Sequence, residues 1–435
     1  MSTYKNLPEI LEKLGIEQLN PMQEAASSAI EENSEIVLIS PTGSGKTLAF
    51  LLPILEHLQT DIIGVQVLIV VPTRELAIQI DQVVRSMGSG WKTSAMYGGQ
   101  SGSKDKLELK NPPTILIGTP GRIADHIRRG HLTTEHLHTL VLDEYDKSLE
   151  VGFEKEMAEI VGALPNLKRK VMTSATKQEQ IPRFVRMENP TEIIFENKED
   201  GRLHILVIPT SDKLNSLIEL LYYLGDKRGI LFCNFKDSIQ QLQVALNNNH
   251  LPHVSFHGDM EQKDREKALL QFRNDSHRLL VATDLAARGI DVPELDFIIH
   301  YELPVKNNEF LHRNGRTARM HASGSAFVLL HTKAQPPAYL SLVENFSIPE
   351  VSSPPPPNSF ATLYISAGRK DKISKGDIAG FMYTKGQLKQ EELGRIEIQS
   401  EGSFVAVKRE KAETLLLLLN GQKVKGRKVK MGMLG

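Results

Sequence analysis

Residues 36–55, near the amino terminus, constrain the fold more than any other stretch of this chain. Their first four residues are apolar and three of these are β-branched, as a buried parallel strand requires. The loop that follows ends in Gly45-Lys46-Thr47, and residues 47–55 are apolar enough to begin a helix despite Pro53. This order predicts a phosphate-binding loop (P-loop), although Ser40 replaces its usual first glycine. The alternative is a glycine-rich turn that binds nothing.

The residue types in this loop suit a nucleoside triphosphate. Gly43 and Gly45 permit a tight turn that points successive backbone N–H groups at one anion, and the helix start adds partial positive charge. Lys46 supplies a cation for the β- and γ-phosphates, and Thr47 supplies a hydroxyl for Mg²⁺. The predicted phosphate-binding residues are Thr42, Gly43, Ser44, Gly45, Lys46 and Thr47.

The charge of the chain is unevenly distributed. From residue 360 to the end there are 15 Lys and Arg against eight Asp and Glu, a net charge of +7, although the whole chain has a net charge of −1. A basic end on an acidic body indicates a module that binds a polyanion, and the alternative is a merely solvated lysine-rich face.

Other features of the composition indicate a cytoplasmic protein. Cys233 is the single cysteine, so no intrachain disulfide is possible and a reducing compartment fits best. The amino terminus lacks a basic region followed by an apolar core, and no apolar run approaches ~18 residues. We therefore expect neither a signal peptide nor a membrane segment.

Short apolar strands followed by polar loops and helical segments recur as far as about residue 195. Residues 4–35 precede them and predict two helices, the first stopped by Gly15 and the second running from Pro21 to Glu32. A polar motif begins where each later strand stops. These motifs are Pro72-Thr73-Arg74, Gly98-Gly99, Thr119-Pro120-Gly121-Arg122, Asp143-Glu144-Tyr145-Asp146 and Ser174-Ala175-Thr176. The pattern predicts a doubly wound parallel sheet with its ligands at the carboxyl ends of the strands.

Asp143 and Glu144 are the predicted reactive carboxylates. An acid that ends an apolar strand is well placed to hold Mg²⁺, and a second acid beside it can orient an attacking water. The alternative is an acidic helix start stabilised by the helix dipole. The P-loop in the same predicted sheet favours the functional interpretation.

A second alternation of strands and helices follows a polar linker at residues 197–202. Strands are predicted at 203–208, 229–233, 254–256, 279–282, 297–300 and 325–330. A helix is predicted at 310–319, where Arg313, Arg316 and Arg319 fall roughly on one face and suit a clamp on phosphate oxygens. This half lacks a P-loop, so we expect it to supply arginines to nucleotide bound by the first half.

These motifs, in this order between about residues 15 and 330, resemble those of the DEAD-box family of RNA helicases. The resemblance implies two RecA-like domains that close on ATP and RNA. Gln23 would read adenine, Asp143 would hold Mg²⁺ through water, and Glu144 would be the general base. The other implied roles are phosphate and Mg²⁺ binding (Lys46, Thr47), coupling (Ser174, Thr176), ribose contact (Asp291) and arginine fingers (Arg316, Arg319). The implied contacts to the RNA backbone are Pro72, Thr73, Arg74, Gly98, Gly99, Thr119, Pro120, Gly121, Arg122, Gly258, Gln262, Arg265, Thr283, Arg288 and Gly289.

The chain departs from the family pattern at a few positions. Tyr145 replaces the alanine of the name-giving tetrad, and its bulky ring must fit beside the nucleotide fold. Tyr4 is a candidate for the aromatic residue that stacks on adenine, with helix packing as the alternative, because it lies closer to Gln23 than in most members.

The carboxyl-terminal region follows a proline-rich spacer at residues 349–359. Its strands (362–366, 395–399, 404–407, 428–433) and helices (375–384, 410–419) have a βαββαβ order that resembles an RRM, in particular the last domain of DbpA-type DEAD-box proteins. The third strand lacks the usual stacking aromatics, so we expect RNA binding through phosphates or shape. The predicted domains are a RecA-like domain at 1–198, another at 203–348, and this RRM-like α+β domain at 360–435.

The resemblance therefore implies an ATP-dependent RNA helicase that needs ATP and Mg²⁺. It would open short RNA duplexes as a monomer, and the tail implies action on large-subunit ribosomal RNA. The alternatives are a DNA translocase of the same superfamily and a non-catalytic RNA-annealing or scaffold protein in which Tyr145 has spoiled turnover. A P-loop enzyme acting on small molecules would leave the tail and the second half unexplained.

Overall fold

The computed structural model describes residues 4–41, 43–99, 102–150, 152–175, 181–195, 203–284, 292, 295–317, 324–340, 343–351 and 354–434. The described residues form two compact units, the first ending before residue 202 and the second containing everything from residue 203 onward. The predicted linker at 197–202 lies outside the described residues. Within the described ranges, every helix is too short or too polar to traverse a bilayer.

The first unit opens with two helices, α1 (Leu7–Leu14) and α2 (Pro21–Glu32). Each begins with a capping box, in which an asparagine side chain (Asn6 or Asn20) and the side chain three residues later satisfy each other's backbone N–H groups. Gly15 ends α1 in the left-handed conformation, with φ 69°. Both predicted helices are confirmed.

A seven-stranded parallel sheet forms the centre of the first unit, with strand order β3-β4-β2-β5-β6-β1-β7. Its strands are β1 (Glu35–Ile39), β2 (Val67–Val70), β3 (Thr93–Met96), β4 (Ile115–Gly118), β5 (Thr139–Leu142), β6 (Arg169–Ser174) and β7 (Thr191–Ile194). The helices between them are α3 (Lys46–Glu56), α4 (Arg74–Met87), α5 (Gly102–Leu109), α6 (Pro120–Arg128), α7 (Tyr145–Glu150) and α8 (Glu154–Gly162). Alternate residues of β1 belong to two different apolar clusters, so the sheet is buried on both faces.

The second unit contains a second parallel sheet, with strand order β10-β11-β9-β12-β13-β8-β14. Its strands are β8 (Leu203–Thr210), β9 (Gly229–Cys233), β10 (His253–Phe256), β11 (Leu279–Thr283), β12 (Phe297–His300), β13 (Gly324–His331) and β14 (Glu344–Asn345). Its helices are α9 (Lys213–Leu224), α10 (Lys236–Asn248), α11 (Gln262–Arg273) and α12 (Asn307–Asn314). The predicted doubly wound architecture is therefore confirmed for both halves.

The carboxyl-terminal domain belongs to the second unit and is an α+β fold. Its antiparallel sheet has the order β16-β17-β15-β20. The strands are β15 (Phe360–Ile365), β16 (Leu393–Ile398), β17 (Ser403–Lys408), β18 (Lys423–Val424), β19 (Arg427–Lys428) and β20 (Met431–Met433), and the helices are α13 (Lys375–Thr384) and α14 (Arg409–Leu419). The predicted RRM-like order is confirmed, except that the strand expected at 428–433 is divided between β19 and β20.

An aromatic pair lies on the outer face of this small sheet, contrary to the expectation that stacking aromatics are missing. Tyr364 and Phe404 are cross-strand partners whose ring centroids lie 5.4 Å apart. Both rings are half-buried, whereas Leu363 and Val405, the adjacent pair along the two strands, point to the other face and belong to the core. The third strand alone does not reveal the pair, because Phe404 is its one aromatic residue and the partner ring, Tyr364, lies on the first strand.

The outer face of the small sheet also packs against the larger domain of the second unit. The hydroxyls of Thr362 and Ser276 lie 2.9 Å apart, and Asn274 donates a hydrogen bond of 3.3 Å to Thr362. Asn358 donates to the Ser276 carbonyl at 2.6 Å, and Arg409 donates to the Asn358 carbonyl at 2.8 Å. Ser276 precedes β11, so this polar interface lies at the amino end of the parallel sheet.

Candidate active site and RNA interface

The P-loop has the left-handed turns that its glycines predict. Gly43 and Gly45 have φ values of 84° and 93°, which side chains rarely adopt. Gly45 immediately precedes α3, and Lys46 is the first residue of that helix. The buried Lys46 ammonium donates hydrogen bonds to the carbonyls of Ser40 and Pro41, the latter at 2.9 Å. The predicted Thr42 lies outside the described residues.

Gln23 joins helix α2 to the P-loop. Its side-chain oxygen accepts the Asn20 N–H at 3.0 Å, and its amide nitrogen donates to the Gly45 carbonyl at 3.4 Å. A Cβ added to Gly45 would lie 2.6 Å from this nitrogen, so a side chain there would displace the Gln23 amide. Adenine reading by Gln23 stays a prediction, but the residue is placed at the nucleotide loop.

Tyr4 packs against another part of the first unit. Its ring is stacked on Trp91, with centroids 4.0 Å apart and an interplanar angle of 26°. The Lys5 N–H also donates to the Ser89 carbonyl at 3.0 Å. These contacts support the packing alternative over stacking on adenine.

Asp143 and Glu144 follow β5 directly, at the carboxyl end of the first sheet. Burial, and then the neighbouring Glu144 carboxylate, raise the pKa of Asp143 to about 6. Glu144 has φ 48°, an uncommon conformation for a side-chain-bearing residue, and its carbonyl accepts the N–H groups of Lys147 and Ser148 in α7. The chain therefore turns sharply at the two acids.

Tyr145, the residue after these acids, is buried in the core of the first unit. Its side chain is only 2% exposed and belongs to the apolar cluster that includes Leu142 and Met172. Burial raises the pKa of its hydroxyl to about 12. The ring is thus accommodated in the core, which removes the physical reason for supposing that Tyr145 spoils turnover.

The raised pKa of Asp143 predicts that this acid destabilises the ligand-free protein at neutral pH. Its folded pKa of about 6 exceeds the ordinary 3.8, so the cost appears as pH rises from about 4 to 6 and is complete above 6. We expect Asp143→Asn to raise the free energy of unfolding by about 1–3 kcal/mol at pH 7.5, and to show little gain at pH 4. Thermal unfolding at both pH values measures this difference.

Asp125→Asn is the matched control for this prediction. Its half-buried carboxylate pairs with Arg129 at 2.7 Å, and this hydrogen bond lowers the pKa of Asp125. The control should therefore give a small effect of opposite sign. A destabilised Asp143→Asn at pH 7.5 would contradict the prediction.

Two arginines of the predicted RNA motifs are held in place within the first unit. Arg74 lies against Gly98 and Gly99, where a Cβ on Gly99 would approach the Arg74 guanidinium to 2.7 Å. The Arg122 Nε donates to Asp105 at 2.8 Å, and the His126 Nε2 lies 3.2 Å from the same carboxylate oxygen.

Sequence reasoning missed Asp105 and His126. Both are buried, but neither ends a strand nor belongs to a motif. The other predicted RNA contacts of this unit lie around the ends of β2 and β4: Pro72, Thr73, Thr119, Pro120 and Gly121. Thr73 caps α4, accepting the Leu76 N–H at 3.2 Å.

The predicted RNA contacts of the second unit also lie close to strand ends. Gly258 is exposed after β10, and Thr283 ends β11. Gln262 begins α11 and donates to Glu266 at 3.2 Å. The Arg265 guanidinium lies 4.9 Å from the centre of the Phe256 ring. These four residues therefore share the carboxyl edge of the second sheet.

The predicted arginine face at residues 310–319 is wrong. Helix α12 ends at Asn314 with Gly315 as its C-cap, so Arg316 lies beyond the helix. Arg313 is 2% exposed and forms a two-pronged ion pair with Asp284, with further hydrogen bonds to the Asn234 side chain and the Glu302 carbonyl. It is committed to the interior and cannot form part of a phosphate clamp.

Arg316, the first predicted arginine finger, is buried directly after α12. Ser174 is buried at the end of β6. Several predicted residues lie outside the described part of the chain: Thr176, Arg288, Gly289, Asp291 and Arg319.

Three family models match the chain in succession. The DEAD/DEAH box helicase model matches residues 20–184, and the helicase conserved C-terminal domain model matches residues 212–321. The DbpA RNA binding domain model matches residues 362–432. The first range covers β1–β6 of the first sheet, the second covers β9–β12 of the second sheet, and the third covers most of the carboxyl-terminal domain.

Similar proteins match along nearly the whole chain. The ATP-dependent RNA helicase DbpA of Bacillus subtilis is 32% identical, covering 99% of each protein, and DbpA of Escherichia coli is 31% identical, covering 98% of this chain and 96% of the relative. Saccharomyces cerevisiae Dbp5, solved with RNA and ADP BeF3, is 26% identical with a TM-score of 0.66, covering 75% of this chain and 88% of that chain. The chain therefore belongs to the DEAD-box family of ATP-dependent RNA helicases, ATP hydrolases that act on RNA, and carries a DbpA RNA-binding domain.

Proposed function

We propose that this helicase opens short RNA duplexes locally and acts on large-subunit ribosomal RNA during ribosome assembly. It works as a monomer in the cytoplasm. The similarity to DbpA helicases over nearly the whole chain and the match to the DbpA RNA binding domain support this proposal. The net charge of +7 after residue 359 suits binding to a polyanion.

The predicted site residues keep their proposed roles. Gln23 reads adenine, the P-loop holds the phosphates, Asp291 contacts the ribose, and Arg316 and Arg319 act as arginine fingers. Glu144 orients water as general base, and Ser174 and Thr176 couple hydrolysis to strand separation. The strand-end motifs grip the RNA backbone. The position of these motifs around the carboxyl ends of both sheets supports the assignment, because ligands of doubly wound sheets bind there.

Thr47 and Asp143 are the proposed Mg²⁺ ligands. Hydroxyl and carboxylate oxygens are the donors that Mg²⁺ prefers, and this ion is usually bound by one or two carboxylates together with substrate phosphates and water. Among the described residues, no group of three or more His, Cys, Asp or Glu is arranged to hold a metal. The buried Asp143 carboxylate, whose charge interacts with that of Lys46 in the P-loop, therefore suits an ion shared between the protein and the substrate phosphates. The ion would neutralise charge developing on the phosphates.

The polar interface between the carboxyl-terminal domain and the second sheet carries this proposal. Ser276 and Thr362 are almost completely buried, and their hydroxyls are hydrogen-bonded to each other. Burying polar groups is favourable only when they keep such partners, so the interface is specific in its geometry. RNA bound by the small domain is thus held at a defined position relative to the second sheet.

The target RNA is tested by stimulation of ATP hydrolysis. Transcribed fragments covering large-subunit ribosomal RNA are compared with fragments of small-subunit RNA of equal length. We expect at least one large-subunit fragment to give half-maximal stimulation at a concentration at least ~10-fold lower than the small-subunit fragments need. The reason is that specific RNA contacts add to electrostatic binding. Equal stimulation by every RNA would contradict the proposed target.

Reversing two charges in the small domain tests whether that domain is responsible for the preference for one RNA fragment. Lys423 and Lys428 are exposed cross-strand partners in the β18–β19 hairpin. The double variant Lys423→Glu/Lys428→Glu should lower the affinity for the preferred RNA fragment by about 10-fold or more at low salt, since two phosphate contacts are lost. The maximal rate should not change. Lys333→Glu, an exposed lysine elsewhere in the second unit, is the control.

A further inference from the structure

Thr173 is a buried polar residue that none of the predicted roles uses. It lies in β6, and its neighbour Met172 pairs with Leu142 of β5. Thr173 therefore stands beside Asp143 at the carboxyl end of the sheet. Its hydroxyl donates a hydrogen bond to Asp143 Oδ1 and accepts the Glu144 backbone N–H at 3.2 Å. One hydroxyl thus contacts both consecutive acids.

We propose that Thr173 is a positioning residue for ATP hydrolysis, which holds the Asp143 carboxylate and the Glu144 backbone in their working orientations. The inference rests on the proposed function, because it takes Asp143 as the Mg²⁺ ligand and Glu144 as the general base. It adds a residue that lies one position before the predicted coupling motif.

The backbone at Glu144 shows why such support is needed. A non-glycine residue with φ 48° is held in a sparsely populated conformation, which persists only when its surroundings fix it. The Thr173 hydroxyl fixes this turn from the neighbouring strand, while the Lys147 and Ser148 N–H groups hold the Glu144 carbonyl from α7. The Glu144 side chain is therefore presented from a backbone that is bonded on both sides.

The carboxylate of Asp143 is oriented by the same group. A hydroxyl has one hydrogen to donate and lone pairs to accept, so Thr173 satisfies both contacts at once. Valine has the same shape and can satisfy neither. Serine keeps the hydroxyl and loses only a methyl group. These two replacements separate the hydrogen bonds from the packing of the side chain.

Thr93 provides a matched control in the same sheet. It is buried in β3, and its hydroxyl has no hydrogen-bond partner among the residues described. Thr93→Val makes the same chemical change without removing a contact to the acids. It should leave turnover unchanged.

The experiment compares the full-length wild type with Thr173→Val, Thr173→Ala, Thr173→Ser and Thr93→Val at saturating RNA. We expect the valine and alanine variants to lower kcat by about 10- to 100-fold, as misplacement of a catalytic group does, with KM for RNA changed less than about threefold. The serine variant should retain kcat within about threefold. A purely structural role would instead lower the melting temperature and the active fraction without this split between kcat and KM.

A second readout does not depend on turnover. The affinity for a fluorescent ADP is measured with Mg²⁺ and with EDTA. Thr173→Val should bind the fluorescent ADP as tightly as the wild type in EDTA. The factor by which Mg²⁺ increases this affinity should be at least about threefold smaller in the variant, since a carboxylate without its hydrogen bond orients the ion less well. An unchanged enhancement would overturn the role at Asp143.

The outcomes distinguish this inference from the proposed function. Retention of kcat within about twofold by both hydroxyl-free variants, or failure of serine to restore it, would overturn the role of Thr173. Absence of RNA-stimulated hydrolysis in the wild type would instead overturn the proposed function. If the valine variant fails to fold, the alanine and serine variants carry the same comparison.

Discussion

Glu144→Gln should reduce the kcat of RNA-stimulated ATP hydrolysis by about 100-fold or more. A positioned general base contributes about 10²–10⁴-fold to a rate, and glutamine keeps the shape of glutamate but cannot take a proton. Binding of ATP and of RNA should persist, because the phosphates are held by the P-loop and the RNA by other motifs. Multiple-turnover phosphate release, together with the affinities for nucleotide and RNA, measures both parts.

Two further variants serve as comparisons for Glu144→Gln. Glu154→Gln changes an exposed acid at the start of α8 and should have wild-type activity. Lys46→Ala should also abolish turnover, but it should weaken nucleotide binding, because the lysine contributes charge to the phosphates. A Glu144→Gln enzyme with full turnover would rule out the general-base role.

Arg313→Met should lower the stability of the second unit by about 3–5 kcal/mol, the usual cost of removing one partner from a buried ion pair. The guanidinium of Arg313 bonds Asp284, Asn234 and the Glu302 carbonyl, and its side chain is almost wholly buried. Methionine fills part of the space but leaves Asp284 without its counter-charge. The effect is therefore expected on folding before any effect on phosphate binding.

The single tryptophan, Trp91, lies in the first unit, so its fluorescence distinguishes unfolding of that unit from unfolding of the second. In a denaturant titration, tryptophan fluorescence should report an unchanged transition, while circular dichroism or hydrogen exchange of β9 and β12 reports early unfolding. Lys236→Ala removes an exposed ion pair with Asp259 and should leave the unfolding transition almost unchanged. A loss below about 1 kcal/mol for Arg313→Met would refute the structural role.

The sequence predicts most of the fold because strand ends and motifs coincide. Buried parallel strands are short apolar runs, and each predicted run of this kind is a strand in the structure. The helix at 310–319 fails for a local reason. The spacing of three arginines resembles one helical face, but Gly315 ends the helix, and the partners of Arg313 lie far away in the sequence. Periodicity carries no information about such partners.

The parts of the site that sequence does not reveal depend on contacts between distant elements. Thr173 reaches Asp143 only because β6 is the neighbour of β5, and Asp105 reaches Arg122 only because α5 packs near α6. In the sequence alone, a threonine before a predicted motif and an aspartate in a short polar helix have no distinguishing feature. Their roles come from strand order and burial.

The attachment of the small domain through Ser276 and Thr362 has a consequence for the length of RNA that the enzyme works on. A domain on a loose tether would sample many distances from the second sheet, whereas this one is bonded to the opposite end of that sheet from the strand-end motifs. The spacing between the recognised element and the opened duplex would then be set by the protein. Nucleotides inserted between the recognised RNA element and the RNA duplex would move the duplex out of reach. The choice of duplex would then depend on spacing as well as on sequence.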